Sequence, residues 1–89
     1  MVRKKVKILN PTGLHLRPAG VLCDCAVKYS CHVLFNYKDG GEANCKSILS
    51  ILGACVRFGD EIEFVCEGEG EDNALLEVCA LVENGFGEQ

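Results

Sequence analysis

Val2-Arg3-Lys4-Lys5-Val6-Lys7-Ile8-Leu9, then Asn10-Pro11-Thr12-Gly13, then Leu14-His15-Leu16-Arg17-Pro18-Ala19-Gly20: across these residues the hydrophobic period changes from two to about 3.6. Val2, Val6 and Ile8 fall on one side and Arg3, Lys5 and Lys7 on the other, which predicts a half-buried strand over residues 2–9, with Lys4 interrupting the inner row. Asn10 to Gly13 supplies turn chemistry. Ala19, Leu22, Cys23 and Ala26 then recur at helical spacing and form one apolar stripe. Proline is tolerated only in a helix's first turn, so Pro18 sets the helix start near residues 16–18. Lys28 is expected in the last turn, where a cation suits the helix dipole. His15 therefore falls just before a helix N-terminus.

The rest of the chain repeats this logic. Val33, Phe35 and Tyr37 alternate with His32, Leu34 and Asn36, and Asp39-Gly40-Gly41 reads as the turn of a hairpin. The returning strand carries Ala43 and Cys45 inward, and Ser47 is a natural N-cap for a short helix from Ile48. After the turn Phe58-Gly59-Asp60, Ile62, Phe64 and Cys66 alternate with Glu61, Glu63, Val65 and Glu67. Ala74, Leu75, Val78, Leu81 and Val82 share one face of a last helix ending at Gly85. The order is βαββαβα, an α+β class. Four strands with one apolar face each predict an open-faced sandwich: one four-stranded antiparallel sheet with three helices on one face and water on the other.

Residues 1–89 are enough for one domain and one core. A 48% hydrophobic, 25% charged composition excludes disorder and fibre. No apolar run approaches the ~18–20 residues of a membrane span, and the basic N-terminus lacks the apolar stretch of a signal peptide. The expectation is a cytoplasmic protein with no membrane insertion. Residues 1–46 hold eight basic and three acidic side chains, whereas residues 47–89 hold Arg57 against ten acids. The net charge of −4 argues against nucleic-acid binding, while the segregation predicts a one-sided positive field suited to acidic partners.

Seven cysteines invite a disulfide or zinc reading, but the count is odd and no Cys-x-x-Cys pair occurs. Cys23 and Cys25, two apart on a helix, are expected on different faces, and Cys45 and Cys66 on the inner rows of strands. Core filling by small hydrophobes is the favoured reading, with no metal and no cofactor; a cysteine-rich metal or redox module is its rival.

A histidine flanking a helix N-terminus stands among unpaired backbone N–H groups at the positive end of the dipole, which disfavours the imidazolium and favours a nucleophilic ring. The same N–H groups, at Leu16 and Arg17, form an anion cradle to which the Arg17 guanidinium adds charge. The pattern equally describes a loop histidine near an exposed arginine. Ser47 reads as a cap or as a phosphoacceptor, since a phosphate there would suit the helix and obstruct a docking partner. On the short helix Leu49 and Leu52 form one apolar row and Ile48 and Ile51 another, so one row is free to dock. Thr12-Gly13 is too little for a nucleotide loop, no carboxylate couple stands out, and His32 opens a strand without an evident partner.

Gly13-Leu14-His15-Leu16-Arg17-Pro18-Ala19, with Lys46-Ser47-Ile48 before an apolar helix, resembles the HPr family, the histidine-containing phosphocarriers of the bacterial sugar phosphotransferase system. The resemblance covers essentially the whole chain. It implies that enzyme I, charged by phosphoenolpyruvate, phosphorylates the δ1 nitrogen of His15, that Arg17 assists, and that the group passes to enzyme IIA. It further implies a regulatory phosphorylation of Ser47 by a dedicated kinase, docking through Gly20, Leu49 and Leu52, and a carrier rather than an enzyme with its own turnover. A nitrogen-regulatory or other non-sugar relay, and a regulatory protein working through Ser47 alone, are the neighbouring readings; the retained His15 disfavours a homologue lacking that histidine. The chain departs from the family pattern at Leu16, where a small or hydroxyl residue is usual, at Asp24 and Val27 in place of lysines, in a longer hairpin, and in its cysteine load.

Overall fold

A computed structural model describes residues 1–88. The elements run β1 (Val2–Lys7), α1 (Leu16–Ala26), β2 (His32–Tyr37), β3 (Gly41–Asn44), α2 (Ile48–Gly53), β4 (Glu61–Glu67) and α3 (Glu71–Glu83), followed by a 3₁₀ turn at Gly85–Gly87. The strands form one antiparallel sheet in the order β1-β4-β2-β3. This is the anticipated open-faced α+β sandwich. β4 lies between β1 and β2, so its inner row of Ile62, Phe64 and Cys66 is flanked by Val6, Lys4 and Val2 on one side and by Tyr37, Phe35 and Val33 on the other. Phe64 stacks edge-on against Phe35, ring centroids 6.1 Å apart, and both are fully buried with Ile8, Leu22 and Ile51 beneath the helices. Full burial of each such side chain contributes about 1.5–3 kcal/mol.

The register alters the reading of charge. β1 and β4 pair Lys7 with Glu61, Lys5 with Glu63 and Arg3 with Val65, and Arg3 reaches Glu63 diagonally at 3.7 Å. Lys4 lies 3.8 Å from Glu83 of α3. Basic and acidic residues segregated along the chain are thus interleaved in space along β1, β4 and α3. Antiparallel pairing of the first strand with the acidic fourth is the cause, and each opposed pair favours the sheet by roughly 0.2–1 kcal/mol.

Other departures have equally local reasons. β1 ends at Lys7, although Ile8 stays buried and its N–H donates to the Asp60 carbonyl at 2.8 Å. α1 ends at Ala26, so Lys28 lies beyond the last turn; its ammonium instead meets Glu77 of α3 at 2.5 Å, beside the Tyr29 hydroxyl, which donates to the same carboxylate. Cys23 and Cys25 are both buried, because α1 packs against α2 and α3 and both side chains join the core. Val65, expected outward, is buried between Arg3 and Leu34 on the flanking strands. The hairpin turn occupies Lys38–Gly40, with Gly41 already paired with Tyr37. On α2, Ile51 is fully buried and Leu52 partly so, while Ile48 and Leu49 face outward, so the two-row division gives way to an inward pair and an outward pair.

Candidate functional site

The loop after β1 is held from beneath. Gly13 adopts φ +64°, and a Cβ there would lie 2.6 Å from the Val56 carbonyl oxygen and 2.7 Å from the Arg57 Cα. Only glycine permits that approach. The Leu14 N–H then donates to the Val56 carbonyl at 3.0 Å, and the Leu14 side chain is buried. With Leu14 turned inward, the next residue turns outward.

His15 is the N-cap of α1, with φ −76° and ψ −174°, and its side chain is exposed. Its carbonyl accepts the Ala19 N–H at 2.8 Å, which starts the intrahelical ladder. Pro18 has no N–H, so the donors left outside the ladder in the first turn are those of Leu16 and Arg17. No side chain caps them. Leu16 is 63% exposed and has no group with which to do so. An open pair of amides beside an exposed imidazole is a seat for an anion.

A groove of about 240 Å³ borders the ring, lined by Thr12, Leu14, His15, Leu52, Cys55, Val56 and Arg57. The Arg57 N–H donates to Asp60 at 2.9 Å, which fixes the turn from which its side chain projects. Arg17 is 67% exposed, and its Nη2 stands 4.0 Å from the Glu88 carboxylate. That carboxylate also accepts from Asn10 Nδ2 at 3.1 Å and from Thr12 Oγ1 at 3.0 Å. Asn10 Nδ2 donates in addition to the Gly13 carbonyl at 2.7 Å, with the Asn10 side chain buried in the loop. The bond from Asn10, then that from Thr12, with the Arg17 charge, holds the Glu88 carboxyl below the usual carboxylate range. Glu88 and Asn10 are absent from the sequence-based site: Asn10 reads there only as turn chemistry, and nothing local joins residue 88 to a loop 76 residues earlier.

Ser47 lies apart from this cluster as the N-cap of α2, its Oγ accepting the Ser50 N–H at 3.2 Å. The Ser50 hydroxyl in turn accepts the Asn44 N–H at 2.8 Å, so the helix start is tied to β3. Leu49 is 82% exposed on the outer side of α2, Leu52 reaches the groove beside His15, and Gly20 lies half-exposed on α1 with no atom within 4 Å of where a Cβ would stand. His32 is exposed at the start of β2, opposite Glu67. Cys55 is exposed and the other six cysteines are buried; burial pushes the Cys25 and Cys66 thiols up to about 11. Among the described residues, no three His, Cys, Asp or Glu side chains are grouped to hold a metal, and no helix is long and apolar enough to cross a membrane.

The fold is an open sandwich that presents an exposed histidine on a helix cap beside a shallow groove. The family model described as "PTS HPr component phosphorylation site" matches residues 2–84. The HPr-like protein Crh of Bacillus subtilis is 36% identical over 83 residues, covering 93% of this chain and 96% of the relative. The phosphocarrier protein HPr of Treponema pallidum is 34% identical over 89 residues, covering all of both chains. The crystal structure of HPr-C-His from Thermoanaerobacter tengcongensis superposes with a TM-score of 0.95 at 35% identity, covering 100% of this chain and 99% of that one. The chain belongs to the HPr family of phosphocarrier proteins.

Proposed function

We propose that this chain carries a phosphoryl group on His15, taken from phosphorylated enzyme I and given to an enzyme IIA of the sugar phosphotransferase system in the cytoplasm. The observation that carries the reading is the exposed ring of His15 at an N-cap whose two free amides, at Leu16 and Arg17, no side chain occupies. The δ1 nitrogen lone pair attacks phosphorus while the bond to the donor histidine breaks, and the electron pair of that bond returns to the donor ring. The amides and the Arg17 guanidinium then neutralise the phosphoryl oxygens. Transfer onward is the same displacement with this chain as donor. The chain needs no cofactor and has no turnover of its own, because alignment of donor and acceptor is the work of the docked complex. The exposed Leu49, with Leu52 and Gly20 on the flanks of His15, forms the docking surface.

Ser47 is the regulatory position in this reading. Phosphorylation by an ATP-dependent serine kinase places a dianion at the start of α2, beside the Leu49 surface, where it obstructs an enzyme I that must desolvate that surface. Incubation with enzyme I and phosphoenolpyruvate is expected to add one acid-labile phosphoryl group, and His15→Ala to abolish it. An unchanged intact mass with a panel of enzyme I proteins refutes the reading, whereas labelling only by a nitrogen-branch enzyme I moves the chain to that relay.

A further inference from the structure

The turn from Arg57 to Asp60 borders the groove beside His15 and is clamped at its base. The Arg57 N–H donates to the Asp60 carboxylate at 2.9 Å, and the Asp60 N–H donates back to the Arg57 carbonyl at 3.0 Å. The Gly59 N–H reaches the Ile8 carbonyl at 2.8 Å from a backbone with φ +89°. On the other flank the Leu14 N–H holds the Val56 carbonyl, and a Cβ on Gly13 would stand 2.7 Å from the Arg57 Cα. The Arg57 backbone is thus fixed against the loop that carries His15.

Two side chains on this frame have no evident work within the chain. Arg57 lines the groove with His15, Leu52 and Cys55, is exposed, and forms no ion pair with any described residue. Asp60, three residues on, gives its carboxylate to the Arg57 backbone N–H. Phe58, between the bonded ends of the turn, is 64% exposed. Arginine and aromatic side chains are enriched where protein partners bind. Both project here from a backbone ordered before any partner arrives, which lowers the cost of association.

Resting on the reading of His15 as phosphoryl acceptor, we propose that Arg57 and Phe58 form a second docking contact, seating a carboxylate of the phosphoryl-donating partner on Arg57 and an apolar pocket of that partner over Phe58. The contact is continuous with the Leu52 edge of the groove, so one partner surface covers it together with His15. The occupant is acidic because a free guanidinium fork gains paired, charge-assisted hydrogen bonds from a carboxylate. The pair exists only in the docked complex, so it acts on association and not on the bond to phosphorus.

The test uses phosphoenolpyruvate with whichever enzyme I of a panel phosphorylates the natural chain. Initial rates are measured against carrier concentration for the full chain and for Arg57→Gln, Arg57→Lys, Arg57→Glu and Phe58→Ala. Arg57→Gln is expected to raise KM about two- to fivefold with kcat held, the range of an ion pair at an exposed rim. Arg57→Lys should recover part of the loss, since it keeps the charge without the fork. Arg57→Glu should raise KM beyond Arg57→Gln, because like charges then meet on docking. Phe58→Ala should raise KM about fivefold or more. Added salt should raise KM of the natural chain and move that of Arg57→Gln less. An unchanged KM in Arg57→Gln and Phe58→Ala, an Arg57→Glu no worse than Arg57→Gln, or a loss confined to kcat, which would put Arg57 on the phosphoryl group, overturns the proposal and leaves the carrier reading standing. If no enzyme I of the panel phosphorylates the natural chain at His15, the carrier reading fails, and the proposal with it.

Discussion

Replacing Gly13 by alanine addresses the geometry on which the exposed histidine depends. The residue holds φ +64°, a region costing an L-residue about 1–2 kcal/mol. The added methyl would also lie 2.6 Å from the Val56 carbonyl oxygen and 2.7 Å from the Arg57 Cα, atoms of backbone that cannot rotate aside. Relief requires the segment 55–57 to move off the loop, and the Leu14 N–H to Val56 carbonyl bond of 3.0 Å lengthens or breaks, at roughly a further 1 kcal/mol. The total is about 2–3 kcal/mol, or on the order of 8–24 °C in Tm for a domain of this size. Gly20 is the matched control, since it lies within α1 with nothing within 4 Å of its missing Cβ. There alanine should stabilise the fold by about 0.5–1 kcal/mol through helix propensity. Urea unfolding followed by circular dichroism measures both variants. A Gly13→Ala protein within about 0.5 kcal/mol of the natural chain, the usual range of an inconsequential surface change, would refute the reasoning.

Two further outcomes follow from the same contacts. Ser47→Ala removes the oxygen that accepts the Ser50 N–H at 3.2 Å and should cost about 0.5–2 kcal/mol in urea unfolding, with Ser47→Asp recovering most of it; equal stability of the alanine variant would show the cap to be idle. Glu77, held down to about 2 by the Lys28 and then the Tyr29 hydrogen bonds, has a folded pKa below its ordinary 4.5, so the stability it contributes is present above that value and is lost as pH falls toward 2. The natural chain should therefore exceed Glu77→Gln in urea midpoint near neutrality, and the gap should close on acidification through that window; a gap independent of pH would contradict the assignment.

Much of the fold was legible because the deciding features are local. Pro18 cannot sit beyond a helix's first turn, and helix α1 begins at Leu16 as that constraint requires. The alternation from Glu61 to Glu67 marks a strand, and its three inner residues Ile62, Phe64 and Cys66 are buried. What escaped depends on partners distant in the chain. Lys28 looks like a helix-terminal cation until α3 brings Glu77 beside it. Val65 looks solvent-facing until Arg3 and Leu34 arrive on either side. The position of His15 beside a helix N-terminus was legible for the same local reason as the helix itself, but the carboxylate next to Arg17 was not, because its approach depends on a turn at Gly85–Gly87 built after the last helix.

The distribution of charge follows the same division and bears on how a carrier with so open a site selects partners. Sheet formation places Lys7 and Lys5 opposite Glu61 and Glu63, Arg3 reaches Glu63 diagonally, Lys4 meets Glu83, and Lys28 meets Glu77. These contacts pair the cations of β1 and Lys28 locally, and at physiological ionic strength the field of an exposed charge is screened over about 8 Å. On the proposed carrier reading, discrimination falls to contacts made on docking: the exposed Leu49, the Leu52 edge of the groove, and the two arginines near His15. Of these, Arg57 forms no ion pair with any described residue, while Arg17 is shared with Glu88. A partner that brings a carboxylate to Arg57 gains a pair without displacing one, whereas Arg17 already has a carboxylate neighbour in Glu88.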